Sequence, residues 1–238
     1  RYFGKNRGKA ISVGTFGGMI GVMILPLIVV YFTKIIGWQH VWLVASLSIL
    51  IFFLPLLFLS LQDQNIRHSN FTESIKDNEE SKRWKTREVV VDKKFYVYLP
   101  LSIATSFIST GLTFHQIFII NQKGWTMDML AGSFVFLGIF SIIGLIFGGP
   151  IIDKYNTKKI ILFALLPLFL GVLTLIFFDS HFSMLVYMSL LGLNLGVSAP
   201  FIGSLWAELY GLESLGSVKA LLHACGVFAS ALSPVIFG

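Results

Sequence analysis

The 238 residues are 55% hydrophobic and only 13% charged, with 23 phenylalanines, a balance that excludes a soluble globular domain for want of polar surface. The single cysteine, Cys225, excludes an internal disulfide. The net charge of +6 does not indicate nucleic acid, because the basic residues stand in short segments beside apolar runs, as in a multi-pass membrane protein.

Seven apolar stretches follow one another at 10–32, 41–61, 95–120, 130–152, 160–178, 183–205 and 217–238. Most approach the ~20 residues that cross a bilayer as a helix. Their continuous apolar character, without alternation, excludes a transmembrane β-barrel and predicts an all-α integral membrane protein. The loops test the count. Seven spans put every basic residue but Lys34 and Lys123, of 18 in all, on the side of Arg1, which is therefore the cytoplasmic side. The chain opens in a basic stretch without an initiator Met and stops at Gly238 within an apolar run, so it is expected to be a piece of a longer protein.

The first span carries Ala10, Gly14, Gly17, Gly18 and Gly21 on one face, which would let another helix approach closely. After the second span, residues 62–94 form a polar loop of mixed charge, read as a solvated linker. The third span bears a polar stripe. Ser102, Thr105, Ser106, Ser109, Thr113 and Gln116 fall within about 100° of one another on an ideal helix, and Gly111 is a place where that helix could break. His115, about 150° from the stripe, is a candidate proton carrier by its titration range, with a hydrogen-bonded packing role as the alternative. The fourth span has a small face of Gly138, Ser141, Gly144 and Gly148.

Between the fourth and fifth spans lies a short polar turn containing Gly149, Asp153, Lys154, Lys158 and Lys159. In the sixth span, Tyr187, Asn194 and Ser198 share one face, and Gly192, Gly196 and Gly203 the opposite one. A mid-membrane amide such as Asn194 must find partners or water. Its hydroxyl neighbours can instead bond their own helix or glue adjacent helices. Beyond it, Glu208 reads as an interfacial acid at the cytoplasmic end. No Asp, Glu, Lys or Arg lies in the middle of a span, and neither a charged pore lining nor an enzyme-like His/Asp/Glu/Ser constellation at shared depth is present, which argues against a channel and against an enzyme.

A repeat relates the first and last spans: Gly8 matches Gly216, Gly18 matches Gly226, and Pro26 matches Pro234 at constant offset. Both segments leave the same side of the membrane, as parallel repeats about an axis along the membrane normal would. Together with the turn pattern G-x-x-x-D-K-x-x-x-K-K, this resembles the major facilitator superfamily of transporters, whose signature loop recurs in weaker form between the eighth and ninth of twelve helices.

The resemblance implies a partial major facilitator-type helical bundle, helices five to eleven, with residues 1–61 ending the N-terminal half, 62–94 as the central cytoplasmic loop and 95–238 in the C-terminal half. It implies a secondary transporter of a small organic solute working by alternating access. An organic anion such as a monocarboxylate is the leading substrate, driven by its own gradient or, as a symporter, by a proton gradient, and a drug/proton antiporter is the alternative. By the same resemblance the third and sixth spans line the central cavity, so Ser102, Ser106, Ser109, Thr113, Gln116, Tyr187, Asn194 and Ser198 are candidate cavity residues. Gly149, Asp153, Lys154, Lys158 and Lys159 would form a cytoplasmic gate motif. Gly14, Gly18, Gly21, Gly138, Gly144 and Gly148 would pack where the fifth and eighth helices meet. The expected surroundings are a bacterial inner (plasma) membrane, the expected partners a small-molecule substrate, protons and the lipid bilayer, and the expected state a monomer without nucleic acid, cofactor or metal.

Overall fold

A computed structural model describes residues 7–56, 58, 84–155 and 157–238, leaving aside the side chains of 7–15, 153, 157–161, 199 and 212. Its helices are α1 (Arg7–Ser48, continued by a π-helical turn Ile49–Phe53), α2 (Thr86–Val91), α3 (Lys93–Phe114), α4 (Gln116–Gln122), α5 (Met127–Lys154), α6 (Thr157–Phe177) and α7 (His181–Phe237). Among the described residues there is no strand, as the apolar runs predict.

Five helical stretches are long and apolar enough to cross a membrane: Phe16–Leu56, Lys93–Phe114, Met127–Ile152, His181–Gly211 and Glu213–Phe237, with a shorter one at Leu162–Phe177. The first is 41 residues long. At ~1.5 Å per residue that is about twice the ~30 Å of a bilayer core. It is interrupted at Gly37, whose φ of 78° and ψ of 158° leave the helical region, so it holds both of the first two predicted spans. Gly211, at φ 76° and ψ 163°, divides α7 in the same way between the sixth and seventh. A positive φ of this kind is routine only for glycine, and each glycine stands alone between two helical segments. Each predicted span thus has a helical counterpart among the described residues, that of the fifth being the shorter Leu162–Phe177.

The third span differs from expectation in where it breaks. Gly111 stays helical and is used for packing: a Cβ there would lie 2.6 Å from the Ser233 hydroxyl. The helix is interrupted at His115 instead (φ −87°, ψ 7°), between α3 and α4. Short polar side chains start the helices. The carboxylate of Asp92 accepts from the Lys94 amide at 3.0 Å, the hydroxyl of Thr126 from Met129 at 3.3 Å and that of Ser180 from Ser183 at 3.2 Å.

The contacts divide the chain into two compact units, Ile28–Ser81 and Arg1–Leu27 with Lys82–Gly238. In the first, the described residues form helix with a mostly exposed apolar surface, Val41 being buried. Its π-helical turn precedes Pro55, which has no N–H to give to the carbonyl of Ile51, so the ordinary helical ladder cannot continue there. In the second unit α7 is the pillar on which α3, α5 and α6 pack. One core cluster gathers Phe95, Phe201, Trp206, Tyr210 and Val218 near one end, and another Leu112, Trp125, Leu168, Met184 and Tyr187 toward the other. At that second end Trp125 Nε1 donates to the carbonyl of Asp179 at 3.1 Å and Lys123 pairs with its carboxylate, tying the α4–α5 turn to the α6–α7 turn.

Candidate functional site

The polar stripe of α3 is split by the way α3 lies on α7. Its inner edge is sewn to that helix. Ser102 Oγ donates to the carbonyl of Tyr98 at 3.1 Å and accepts the indole N–H of Trp206 at 3.0 Å. Thr105 and Ser198, both buried, bring their hydroxyls to 3.3 Å. The outer edge stays open: Ser106 and Thr113 are exposed, with Ser109 half-buried between them. Thr113 donates back to the carbonyl of Ser109 at 2.7 Å, the local bond that hydroxyls make in apolar helices. The hydroxyl of Ser109 is enclosed and has no protein partner. Gln116, past the break on α4, is half-buried.

His115 is not free of contacts at that break. Its Nε2 lies 3.0 Å from the carbonyl of Pro234 on α7. Because a carbonyl only accepts, Nε2 carries the proton and donates, and the ring ties the α3–α4 junction to α7.

Helical spacing places Tyr187 and Asn194 on the same face as Ser198, and the structure separates them from it. Asn194 is 0% exposed and donates from Nδ2 to the carbonyl of Ala164 on α6 at 2.7 Å. Its Oδ1 is buried without a protein partner. Tyr187 is buried too, its ring 3.7 Å from where a Cβ on Gly171 of α6 would sit. Both therefore lie inside the α6–α7 contact rather than on an open face. A face read at about 100° per residue is broad enough to reach two neighbours, α3 and α6, at once.

The glycines require a similar correction. Of the glycine face of the sixth span, Gly192 and Gly196 pack on a neighbour, as expected, and that neighbour is α5, whereas a Cβ on Gly203 would meet only the Lys219 ammonium, at 3.9 Å. A Cβ on Gly192 would collide with the carbonyl of Leu137, and one on Gly196 with that of Ser141. From the other side, a Cβ on Gly144 would come to 2.6 Å from the carbonyl of Leu193, and one on Gly148 to 3.0 Å from Pro200. Gly144 and Gly148, expected against the first span, thus pack on α7. Only Gly138 meets α1, where its Cβ would lie 2.7 Å from that of Met23. A Cβ on Gly18 would meet nothing within 4 Å, and one on Gly21 only Leu25 of its own helix; the side of Gly14 lies outside the described residues.

At the signature turn, α5 ends at Lys154, and the Tyr155 amide still donates to Ile151 at 3.0 Å. The Lys154 ammonium lies 5.4 Å from the centre of the Tyr155 ring. Space is open above Gly149. The side chains of Asp153, Lys158 and Lys159 lie outside the described residues.

One constellation is not evident from the sequence. Residues 84–94 belong by composition to the solvated loop, yet they dock on the bundle. Val89 in α2 is 1% exposed and joins the core beside Val218. The Trp84 amide donates to Ser214 Oγ at 2.7 Å, and the Tyr210 hydroxyl donates to Asp92 Oδ2 at 3.1 Å. Trp84 stands edge-on to the Tyr210 ring at 5.2 Å, and Tyr210 stacks on Trp206 at 5.8 Å. Tyr210 and Ser214 flank Gly211, so α2 and its ends grip both sides of that kink. Glu208 is exposed nearby, 3.5 Å from the Ser204 hydroxyl. The apolar run Val89-Val90-Val91 within a charged stretch is the signal that could have found it.

Among the described residues, no group of three or more His, Cys, Asp or Glu side chains is placed to hold a metal ion. A family model for the Major Facilitator Superfamily matches residues 1–234. Comparison with curated proteins finds no match, and neither does comparison with solved structures.

Proposed function

Because the chain belongs to the major facilitator superfamily of transporters and is an integral, multi-pass membrane protein, we propose that it forms part of a secondary transporter whose solute binds along the open edge of α3. The observation that carries this reading is the outer row of Ser106 and Thr113, exposed hydroxyl residues on an otherwise apolar helix, with the enclosed Ser109 hydroxyl between them. A hydroxyl row of this kind can donate to and accept from a small oxygen-bearing solute. It carries no fixed charge, so an anion would draw its countercharge from elsewhere in the transporter. A monocarboxylate is the substrate class we favour, because the segment Trp206-Ala207-Glu208-Leu209-Tyr210-Gly211 looks similar to bacterial members of the superfamily distantly related to monocarboxylate carriers. Movement of the two halves would expose the solute to each side in turn.

Cysteine accessibility in the full transporter tests the assignment. With Cys225 replaced by Ser, Ser106→Cys and Thr113→Cys are expected to react with a small water-soluble thiol reagent, and substrate is expected to slow both. Asn194→Cys, inside the α6–α7 contact, is expected to remain unlabelled. Equal labelling at all three positions would falsify the cavity face.

The gate motif makes a second prediction. The sequence sets Asp153 at the end of α5, on the side where α1 begins. A carboxylate beside the first turn of a helix contributes typically 0.3–1 kcal/mol and up to ~2 kcal/mol when partly buried. Loss of ~1.4 kcal/mol changes a two-state ratio about tenfold. Asp153→Asn is therefore expected to lower transport and to raise labelling of Ser106→Cys from the cytoplasmic side, with Asp153→Glu retaining part of the activity. Native transport and native labelling in the Asn variant would make the turn an ordinary basic connection.

A further inference from the structure

A crevice of about 330 Å³ opens between α5, α6 and α7, lined by Ile143, Phe147, Tyr155, Phe163, Leu193 and Phe201 among others. Its deep end is shaped by Gly144, whose missing side chain lets α7 close on α5, and by Pro167 on α6. Apart from the phenol of Tyr155 its lining is hydrocarbon, so a polar solute has nothing to bond with there. Its outer walls are open: Phe147 is 61% exposed and Phe163 68%. From Ile143 to its end at Lys154, α5 runs beside the groove for about 17 Å at ~1.5 Å per residue, close to the depth of one leaflet, half of the ~30 Å hydrocarbon core. At its mouth the Lys154 ammonium lies 5.4 Å from the centre of the Tyr155 ring, bringing a cation and a phenol to the level where lipid headgroups lie. The sequence adds Lys158 and Lys159 to the same turn.

We propose that this crevice holds one acyl chain of an anionic phospholipid, its headgroup against Lys154 and Tyr155. Length, apolar lining and the sign of the charge at the mouth select this occupant together. A second copy of the chain would need an apolar partner surface without a countercharge, and a zwitterionic lipid would draw less from the lysine.

The test places a reporter at the crevice wall, Phe147→Trp, in the full transporter reconstituted in phosphatidylcholine vesicles. Lipids with brominated acyl chains then quench the added tryptophan, measured as the difference from the protein without it. At equal mole fraction, brominated phosphatidylglycerol is expected to quench about fivefold more effectively than brominated phosphatidylcholine, the selectivity that ~1 kcal/mol from one lysine at an anionic surface gives. Lys154→Gln, an exposed position, is expected to bring the two lipids to parity. Equal quenching in the presence of Lys154 overturns the proposal. So does a preference unchanged in Lys154→Gln, and so does absence of quenching by either lipid in a transporter that proves dimeric, since a second copy then covers the crevice.

Discussion

Gly196→Leu is expected to abolish transport and to lower the thermal midpoint of the purified transporter well below that of Gly18→Leu. Even a Cβ at position 196 runs into the carbonyl of Ser141, and the obstacle is backbone, which cannot swing aside as a flexible side chain can. Overpacking a tight core costs typically 1–3 kcal/mol, occasionally more, and a leucine adds branches where the first carbon already fails to fit. The effect must propagate, because Gly192, Gly144 and Gly148 close the same seam within a few residues, and separating α7 from α5 loosens all four contacts. Membrane insertion should be unaffected, since it follows hydrophobicity rather than helix packing. Gly18→Leu points into open space, and if it also abolishes transport with a native midpoint, then Gly18 makes its contact in another state of the cycle. A native midpoint for Gly196→Leu would refute the backbone seam.

The second large effect is expected from Trp206→Ala. Trp206 is 0% exposed, stacked on Tyr210, tilted against Phe95 at 5.4 Å and bonded through its indole N–H to Ser102. Truncating a buried aromatic costs about 3–5 kcal/mol through the cavity it leaves, and Ser102 loses a donor as well. Tyr210→Phe should cost less, about 1.5–3 kcal/mol for a hydrogen bond to a charged group, because the ring remains. The two can be told apart at α2. Trp206→Ala is expected to make a cysteine at Val89 reactive through collapse of the core, whereas Tyr210→Phe should do so only if the bond to Asp92 anchors the helix. A Val89 cysteine that reacts equally in the native background would show that α2 is not docked in the membrane-embedded protein.

What can be read from the residues follows from how local each cause is. Continuous apolar runs and their charge asymmetry are properties of single segments, so the spans and the all-helical class are legible. A face of small residues is also local, and the close packing of Gly192 and Gly196 shows in their spacing. Which helix they pack against is not local: Gly144 and Gly148 could serve α1 or α7, and only the packed bundle decides. Hydroxyls are ambiguous for a related reason. Ser102 and Ser106 differ by one turn of helix, yet one bonds an indole and the other stays open. The docking of α2 is concealed because Thr86–Val91 is short and flanked by charge, so its three valines look incidental. His115 as a junction between broken helices cannot be read from helix geometry, which assumes the helix continuous.

Gly211 has a mechanical consequence. A joint of one glycine leaves two soft torsions, φ and ψ, about which the stretches on either side could swing, although they cannot slide apart. With Tyr210 and Ser214 both held by the α2 segment, even those two torsions are restrained. Force applied to residues 213–237 is therefore transmitted to 181–210 as torque with little lost motion, as through a keyed shaft rather than a tether. The segment that carries the backbone seam with α5 and the segment that carries Pro234 then turn as one lever.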